Sequence, residues 1–269
     1  GSNILPAYTQ PDWSYYWNEP DVQRYLESGF SRVGSLARSL DVRLSFHPGQ
    51  FVVLASDRPD VVERSIEEFE YHTDMARWMG YGKTFQDFKC NVHIAGKAGP
   101  AGIKDALKRL SPEARNIITI ENDEISWGID ASVELEKHCA LVLDIHHNWI
   151  YTGNYIKKDD DIVKRVIDSW RGVRPVIHYS VSRDTLIETV REEYRRSVRP
   201  DYQTLVEAGL KRGKLRAHSN SYWNKACNEW AWSFTDDFDI MCEAKFKQVA
   251  SIDFYNSMTG KDISPFMAN

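Results

Sequence analysis

The sequence lacks paired cysteines, long apolar runs and a secretion signal. Its four cysteines, Cys90, Cys139, Cys227 and Cys242, show no CxxC spacing, which argues against a zinc ribbon and a disulfide framework. No uncharged apolar run is long enough for a membrane span, and residues 1–6 lack the basic and apolar regions of a signal peptide. These absences predict a soluble protein of a reduced compartment, the cytoplasm.

The sequence also has fewer basic residues than acidic ones. The chain has 34 Lys and Arg against 39 Asp and Glu, a net charge of −5 at pH 7. Taken alone, this balance disfavours nucleic acid as a partner, because phosphate binding usually needs a basic surface. Three bound divalent cations would add about +6 at one cleft, however, so the net charge leaves the partner open.

Six short apolar runs rich in β-branched residues are present, with helical patterns between them. They cover residues 43–48, 90–95, 116–121, 140–146, 174–180 and 239–244. Such runs predict a parallel sheet covered on both faces, and their alternation with helices predicts repeated βαβ units. The length of 269 residues suits an α/β barrel, which needs roughly 250. We therefore predict a TIM-type (β/α) barrel in which the first one or two strands are absent from this chain or missed by the pattern.

The clearest helical pattern covers residues 59–79, with Gly80 just beyond it as a C-cap. Further helices are predicted at 21–40, 103–110, 132–138 and 161–170. A charged helix is predicted at 184–197, within an insertion at about 181–217 that interrupts the strand rhythm. We predict one barrel domain over residues 1–269, with this insertion on its functional face.

A histidine or carboxylate lies at or near the C-terminal end of every predicted strand. These residues are His47, His93, Glu121, Asp144, His178 and Glu243. In α/β barrels that rim carries the active site. One histidine at a strand end is more often structural, but the recurrence at all six strands predicts a shared metal site. Imidazole and carboxylate together suit zinc, manganese and iron.

The segments that carry these residues closely resemble the UV damage endonucleases. They read RLSFHPGQF (43–51), VHIAGKAG (92–99), ENDE (121–124), DIHH (144–147), IHYS (177–180), AHS (217–219) and DIMCEAK (239–245). The resemblance covers essentially the whole chain, in order. It implies a TIM barrel, related in architecture to apurinic endonucleases of the endonuclease IV type, that nicks damaged double-stranded DNA immediately 5′ to a lesion. It also implies up to three divalent ions, for which manganese is expected and zinc or iron would also fit.

The resemblance further implies a role for individual side chains. One ion would be held by His47, His93 and Glu121. Glu121 would bridge to a second ion that Asp144, His178 and Glu243 complete, which makes Glu121, Asp144 and Glu243 the expected catalytic residues. A third ion would use His147 and His218, and His147 is preferred over His146 on the family pattern. Gln50, Phe51 and Lys97 are the expected DNA contacts, with Gln50 and Phe51 at positions that enter the duplex.

The chain departs from the family pattern near the third ion, where Val176 replaces a lysine and Ser219-Asn220 replaces an aspartate. Residues 3–6 look like the end of the family's second strand. The insertion carries many basic residues that could follow a DNA backbone or belong to a solvated, mixed-charge face. They are Arg183, Arg191, Arg195, Arg196, Arg199, Lys211, Arg212, Lys214 and Arg216.

Two alternative functions remain open on the sequence. A metal-dependent sugar isomerase or epimerase uses the same barrel and similar ligands. A barrel that binds lesions without cutting them is the other. The number of histidines and the Gln50-Phe51 loop favour a nuclease, which we expect to act as a monomer.

Overall fold

The computed structural model describes residues 4–195 and 197–263. All six predicted strands are present there, each shorter than its apolar run. They are β1 (Ser45–Phe46), β2 (Lys89–His93), β3 (Ile118–Glu121), β4 (Ala140–Asp144), β5 (Val176–Tyr179) and β6 (Asp239–Cys242). The prediction of an α/β chain with parallel strands is confirmed.

The helices vary widely in length. They are α1 (Ser14–Trp17), α2 (Pro20–Ser39), α3 (Pro59–Trp78), α4 (Gly99–Arg109), α5 (Pro112–Ile117), α6 (Ile129–Ser132), α7 (Ile145–Thr152), α8 (Asp161–Ser169), α9 (Asp184–Ile187), α10 (Tyr202–Glu207), α11 (Arg212–Leu215), α12 (Lys225–Trp232) and α13 (Gln248–Thr259). Short 3-10 helices cover Pro11–Trp13, Val133–Leu135 and Glu192–Arg195. The helices predicted at 21–40, 59–79, 103–110 and 161–170 are confirmed as α2, α3, α4 and α8.

The bounds of α3 follow from its end residues. Pro59 occupies the first turn, where a missing N–H breaks no helical hydrogen bond. Gly80 follows the helix with a φ of 88°, a left-handed conformation that glycine adopts without strain. The helix buries Phe69 and Met75 completely.

Two compact units divide the chain. The first unit comprises residues 1–121, 130–141 and 168–173, and the second comprises 122–129, 142–167 and 174–269. In the first unit, β1 pairs with β2 and β2 with β3, and His93 lies opposite Glu121. Side chains two residues apart share a face of a strand. Asn91 and His93 are therefore on one face of β2, and Thr119 and Glu121 on one face of β3.

In the second unit, β4 pairs with β5 and β5 with β6. Asp144 lies opposite His178. The insertion has its own apolar cluster against α7, formed by Trp149, Ile150, Ile187, Tyr194, Leu205 and Leu215. This cluster holds the insertion on the helix that follows β4.

The prediction of a charged helix at 184–197 is wrong. Only α9 and the 3-10 helix Glu192–Arg195 form within it. The Thr189 hydroxyl donates to the Leu186 carbonyl at 2.7 Å, a local bond that competes with helical hydrogen bonding. Arg196 lies outside the described residues.

Two other predicted elements have different boundaries. The helix predicted at 132–138 is replaced by α6 and the 3-10 helix Val133–Leu135. This 3-10 helix buries both Val133 and Leu135, whereas residues two apart do not share a face of an α-helix. The segment 4–6 forms a bend and turn, not a strand. There the Leu5 N–H donates to the Tyr71 hydroxyl, and Asn3 lies outside the described residues.

All four cysteines are free, as predicted. Among the described residues, no helix combines the length and apolar character that crossing a membrane requires.

Candidate metal centre

The C-terminal ends of β1, β2 and β3 bring two imidazoles to one carboxylate within the first unit. His47 Nε2 lies 3.5 Å from Glu121 Oε2, and His93 Nε2 lies 3.8 Å from the same oxygen. The Glu121 side chain is fully buried, while those of His47 and His93 are partly exposed. The three predicted ligands of the first ion therefore lie together, open to solvent on the histidine side.

A buried polar relay holds the Glu121 carboxylate. The Asn91 side-chain N–H donates to Glu121 Oε2, and the Thr119 hydroxyl donates to Asn91 Oδ1 at 2.8 Å. Asn91 and Thr119 are both buried. Neither residue was among those predicted from the sequence, although the two-residue spacing to His93 and Glu121 places each on the same strand face as a predicted ligand.

Three carboxylate and imidazole groups converge in the second unit at the ends of β4, β5 and β6. Asp144, His178 and Glu243 each offer one ligand atom within 4.8 Å of the others. His178 Nδ1 lies 3.1 Å from Glu243 Oε1. These are the predicted ligands that complete the second ion.

Asn122 fixes the start of α7. Its side-chain N–H donates to the Asp144 carbonyl at 3.0 Å, and its Oδ1 accepts from the Asp144 N–H at 2.9 Å. Asp144 in turn caps α7, since its Oδ1 accepts from the His147 N–H at 2.7 Å. The carbonyl of Asn122 lies 3.0 Å from His147 Nδ1. One asparagine thus orients both a predicted carboxylate ligand and a predicted histidine ligand.

The early end of β4 changes the interpretation of His146. The predicted strand extended to residue 146, but α7 begins at Ile145. His146 is a buried helical residue, with Ser180 Oγ 2.8 Å from Nδ1 and Ser182 Oγ 3.1 Å from Nε2. Burial, then the neighbouring His218 and His147, lowers the pKa of His146 well below its usual range. These contacts give it a structural role.

The predicted third pair lies within the second unit. The ring centroids of His147 and His218 are 6.5 Å apart. Glu124 Oε2 and Asp144 Oδ2 each lie 3.6 Å from His147 Nε2. Glu124 is not among the ligands predicted from the sequence.

The predicted DNA contacts lie in the first unit. Phe51 is 85% exposed, an unusual position for a large aromatic side chain, and Gln50 is exposed beside it. Both line a groove of about 870 Å³, whose other walls come from the segment 7–11 and from Val61, Arg64, Glu67 and Glu68 of α3. Lys97 Nζ pairs with Asp57 at 2.7 Å, and this hydrogen bond raises the pKa of Lys97.

Several basic side chains of the insertion contact groups within the second unit. Arg216 Nε donates to Glu124 Oε1 at 2.6 Å. Arg199 stacks over the Tyr155 ring at 4.8 Å. Such contacts restrict the number of cations available to an external ligand.

The donor sets fit divalent metal ions. Two ligand atoms that are each about 2.1 Å from an ion lie about 3.0 Å apart at a right angle and about 3.4 Å apart at the tetrahedral angle. The separations of 3.5 and 3.8 Å around Glu121 and of 3.1 Å between His178 and Glu243 are near these values. The buried histidine and carboxylate groups could therefore hold metal ions.

Curated relatives are similar to this chain over much of its length. A UV DNA damage endonuclease of Bacillus velezensis is 29% identical over 189 residues, which cover 66% of this chain and 56% of the relative. A UV-damage endonuclease of Schizosaccharomyces pombe is 29% identical over 265 residues, 93% of this chain and 38% of the relative. This chain thus spans about half the length, or less, of these relatives.

Solved structures show the same fold. The crystal structure of SacUVDE matches with a TM-score of 0.73 at 23% identity, over 97% of this chain and 78% of the other. Endonuclease IV from Thermus thermophilus matches with a TM-score of 0.56 at 14% identity, over 87% of this chain and 80% of the other. These likenesses confirm the predicted TIM-type (β/α) fold class. The family model for UV-endonuclease UvdE matches residues 1–266, and the chain therefore belongs to the UvdE family.

Proposed function

We propose that this protein is a DNA-repair endonuclease. It hydrolyses the phosphodiester 5′ to UV photoproducts and other helix-distorting lesions and uses two or three divalent ions. The observation that carries the proposal is the convergence of His47 Nε2 and His93 Nε2 on one Glu121 oxygen, at 3.5 and 3.8 Å, in a chain of the UvdE family. Its relatives are named UV-damage endonucleases.

The ligands divide into two sets. His47, His93 and Glu121 would hold one ion. Asp144, His178 and Glu243 would hold a second. When bound, such ions supply a water of lowered pKa, neutralise the phosphate and stabilise the leaving oxygen.

The protein residues position these groups. Asn91 fixes the Glu121 carboxylate by its side-chain N–H, and Asn122 fixes Asp144 by two hydrogen bonds. Preorganised ligands keep the scissile phosphate and the attacking water in line without rearrangement during the reaction.

Damaged DNA engages the first unit through its exposed loop. Phe51 presents an aromatic face to stack on bases, and Gln50 presents an amide that can contact a base edge. The groove beside them offers space for a base that has left the stack. Lys97 is exposed and charged, as a phosphate contact requires. The protein acts inside the cell, as a monomer.

The decisive experiment is strand analysis after incubation with manganese and a duplex that carries one defined photoproduct. We expect a single cut in the damaged strand, 5′ to the lesion. Glu121→Gln should abolish it, since the variant removes the charge on which both histidines converge. Glu134→Gln, which changes a carboxylate that is 58% exposed, serves as the matched control and should cut normally.

An intact duplex after incubation with folded, metal-loaded protein would refute the proposal. Retained preference for the damaged duplex in that case would instead identify a lesion-binding protein that does not cut.

A further inference from the structure

The insertion is a basic segment of an acidic chain. Residues 181–217 contain nine basic and six acidic side chains, whereas the whole chain has a net charge of −5. The excess is concentrated at the end of the insertion, since residues 208–228 contain five basic residues and no acidic one. The five are Lys211, Arg212, Lys214, Arg216 and Lys225. A basic cluster of this kind is the electrostatic feature that attracts a polyanion.

The structure separates basic side chains that already have a partner in the protein from those that have none. Those with a partner include Arg191, Arg199, Arg216 and Lys225, which contact Glu193, Tyr155, Glu124 and Glu229 in that order. Lys211 and Lys214 are exposed, and within the described part of the chain neither side chain forms an ion pair or hydrogen bond. These two lysines are therefore available to an external ligand.

Buried contacts hold α11, which carries Lys214 and directly follows Lys211. Leu215 is fully buried in the cluster that packs the insertion against α7. Ser182 Oγ donates to the Leu215 carbonyl at 2.6 Å, and Arg212 Nε donates to the Tyr202 hydroxyl at 3.4 Å. The lysines thus extend from an anchored backbone, which reduces the entropy lost when a ligand binds.

The anchored segment ends beside a residue of the predicted metal centre. Arg216 Nε lies 2.6 Å from Glu124 Oε1, and Glu124 Oε2 lies 3.6 Å from His147 Nε2. Lys214 and Lys211 precede Arg216 by two and five residues, so their Cα atoms are at most about 7 and 18 Å from its Cα. Both distances are shorter than one turn of a DNA duplex, about 34 Å.

We propose that Lys211 and Lys214 bind phosphates of the DNA strand beside the incision site. A lysine presents a compact charge without fixed geometry, which suits a phosphate better than a base edge. Gly213, between the two lysines, borders open space, so no other side chain covers this surface. The contact is independent of base sequence and of damage. The inference rests on the proposed function for the identity of the polyanion.

Binding to an undamaged duplex in the presence of a chelator tests the inference, because this measurement does not depend on incision. Fluorescence anisotropy at several salt concentrations gives the affinity and its salt dependence. Lys211→Gln/Lys214→Gln should bind about tenfold more weakly at low salt. The slope of log K against log salt should decrease in magnitude by about 2, about 1 for each lost phosphate contact. Lys211→Arg/Lys214→Arg, which keeps both charges, should bind like the wild type.

The double variant Lys158→Gln/Lys164→Gln is the matched control. It removes two positive charges from the same unit, at lysines that pair with aspartates at 3.0 and 3.5 Å. Its affinity and salt slope should stay close to those of the wild type. An equal loss in both double variants would overturn the inference, because net charge alone would then explain the effect. An unchanged salt slope in Lys211→Gln/Lys214→Gln would also overturn it.

A duplex with one photoproduct separates this inference from the proposed function. Lys211→Gln/Lys214→Gln should lose affinity for damaged and undamaged duplexes by the same factor, and its melting temperature should match that of the wild type because both lysines are exposed. A wild type that binds DNA but never cuts it would refute the proposed function and leave the phosphate contact supported. A wild type that cuts, with unaltered DNA binding by the double variant, would refute the contact alone.

Discussion

At the scale of single residues, the proposed metal centre depends on side chains outside its ligand sets. Asn91 touches Glu121, and Thr119 touches only Asn91, yet both are buried within the first unit. A buried amide that loses its partner can rotate, and the carboxylate it holds then loses its fixed direction.

We expect Thr119→Val to weaken the tightest manganese or zinc site by about tenfold, since it removes the hydroxyl that fixes the Asn91 amide while keeping the side-chain volume. Calorimetric titration of the metal-free protein measures this change. Thr119→Ser keeps the hydroxyl and should bind metal with nearly wild-type affinity. Equal affinities for Thr119→Val and Thr119→Ser would mean that the relay does not position Glu121.

Lys89 is a buried basic residue that affects how the stability of the fold depends on pH. Its Nζ donates to the Asn116 carbonyl at 2.7 Å and lies 3.4 Å from the centroid of the Phe85 ring. Burial, then the charges of Arg171 and Arg43, lowers the pKa of Lys89 from 10.5 to about 7. Between pH 7 and 10.5 the folded protein has therefore released a proton that the unfolded chain still binds.

Because the unfolded chain binds more protons in that range, the free energy of unfolding of the wild type should rise with pH by up to about 1.4 kcal/mol per pH unit relative to Lys89→Met. Below pH 7 both states bind the proton and the difference should be constant. Urea denaturation of the metal-free proteins at about pH 6, 7.5 and 9 measures it. Lys108→Met, at a lysine that is 74% exposed, should show no such trend. The prediction would be contradicted if the difference in the free energy of unfolding between the wild type and Lys89→Met stayed constant across these pH values.

At the scale of secondary-structure elements, two glycines of α2 occupy opposite surroundings. A Cβ on Gly34 would lie 2.0 Å from the Met79 carbonyl oxygen, whereas a Cβ on Gly29 would have no neighbour within 4 Å. The close approach of α2 to the end of α3 therefore requires glycine at position 34 only.

Gly34→Ala should lower the free energy of unfolding by about 1–3 kcal/mol, because the backbone at Met79 must move. Gly29→Ala should raise it by about 0.5–1 kcal/mol, since alanine loses less backbone entropy within a helix. The midpoints of urea denaturation compare the two variants directly. Stabilisation of similar size in both variants would show that helix propensity, not packing, decides the effect.

The strands, and the histidines and carboxylates at their ends, could be predicted because apolar runs and strand ends are local features. His93 and Glu121 face each other as the parallel arrangement implies. The interruption of the helix predicted at 184–197 could not be foreseen, because Ile187 and Tyr194 are buried against Trp149 and Leu205, which are distant in sequence. The orientation of Glu124 also escaped prediction, since it depends on α7 beginning at Ile145 and on Arg216 from the insertion.

At the scale of the whole molecule, charge is the property that the proposed ions would change most. The chain carries −5 at pH 7. Two divalent ions would contribute about +4, concentrated at the predicted site. Because DNA binding has an electrostatic term that is independent of sequence, metal content should affect even undamaged DNA.

Removal of metal with a chelator should weaken binding to an undamaged duplex by at least about tenfold at low salt, and the effect should shrink as salt screens the charges. Fluorescence anisotropy measures the affinity. The affinity of Glu121→Gln, which has a damaged metal site, should respond less to the chelator. If the chelator did not change the affinity of the wild type for DNA, the ions would not contribute to DNA binding.

Asn122 makes several hydrogen bonds that together limit which residues can replace it. Its amide needs both a donor and an acceptor for Asp144, while its carbonyl orients His147. Aspartate would lose the donor, alanine would lose both, and glutamine would displace the amide by a methylene group. In a saturation library selected for activity, position 122 should therefore tolerate fewer amino acids than the other residues that contact the predicted ligands. Evolution towards a different metal would have to change residues of the site other than Asn122.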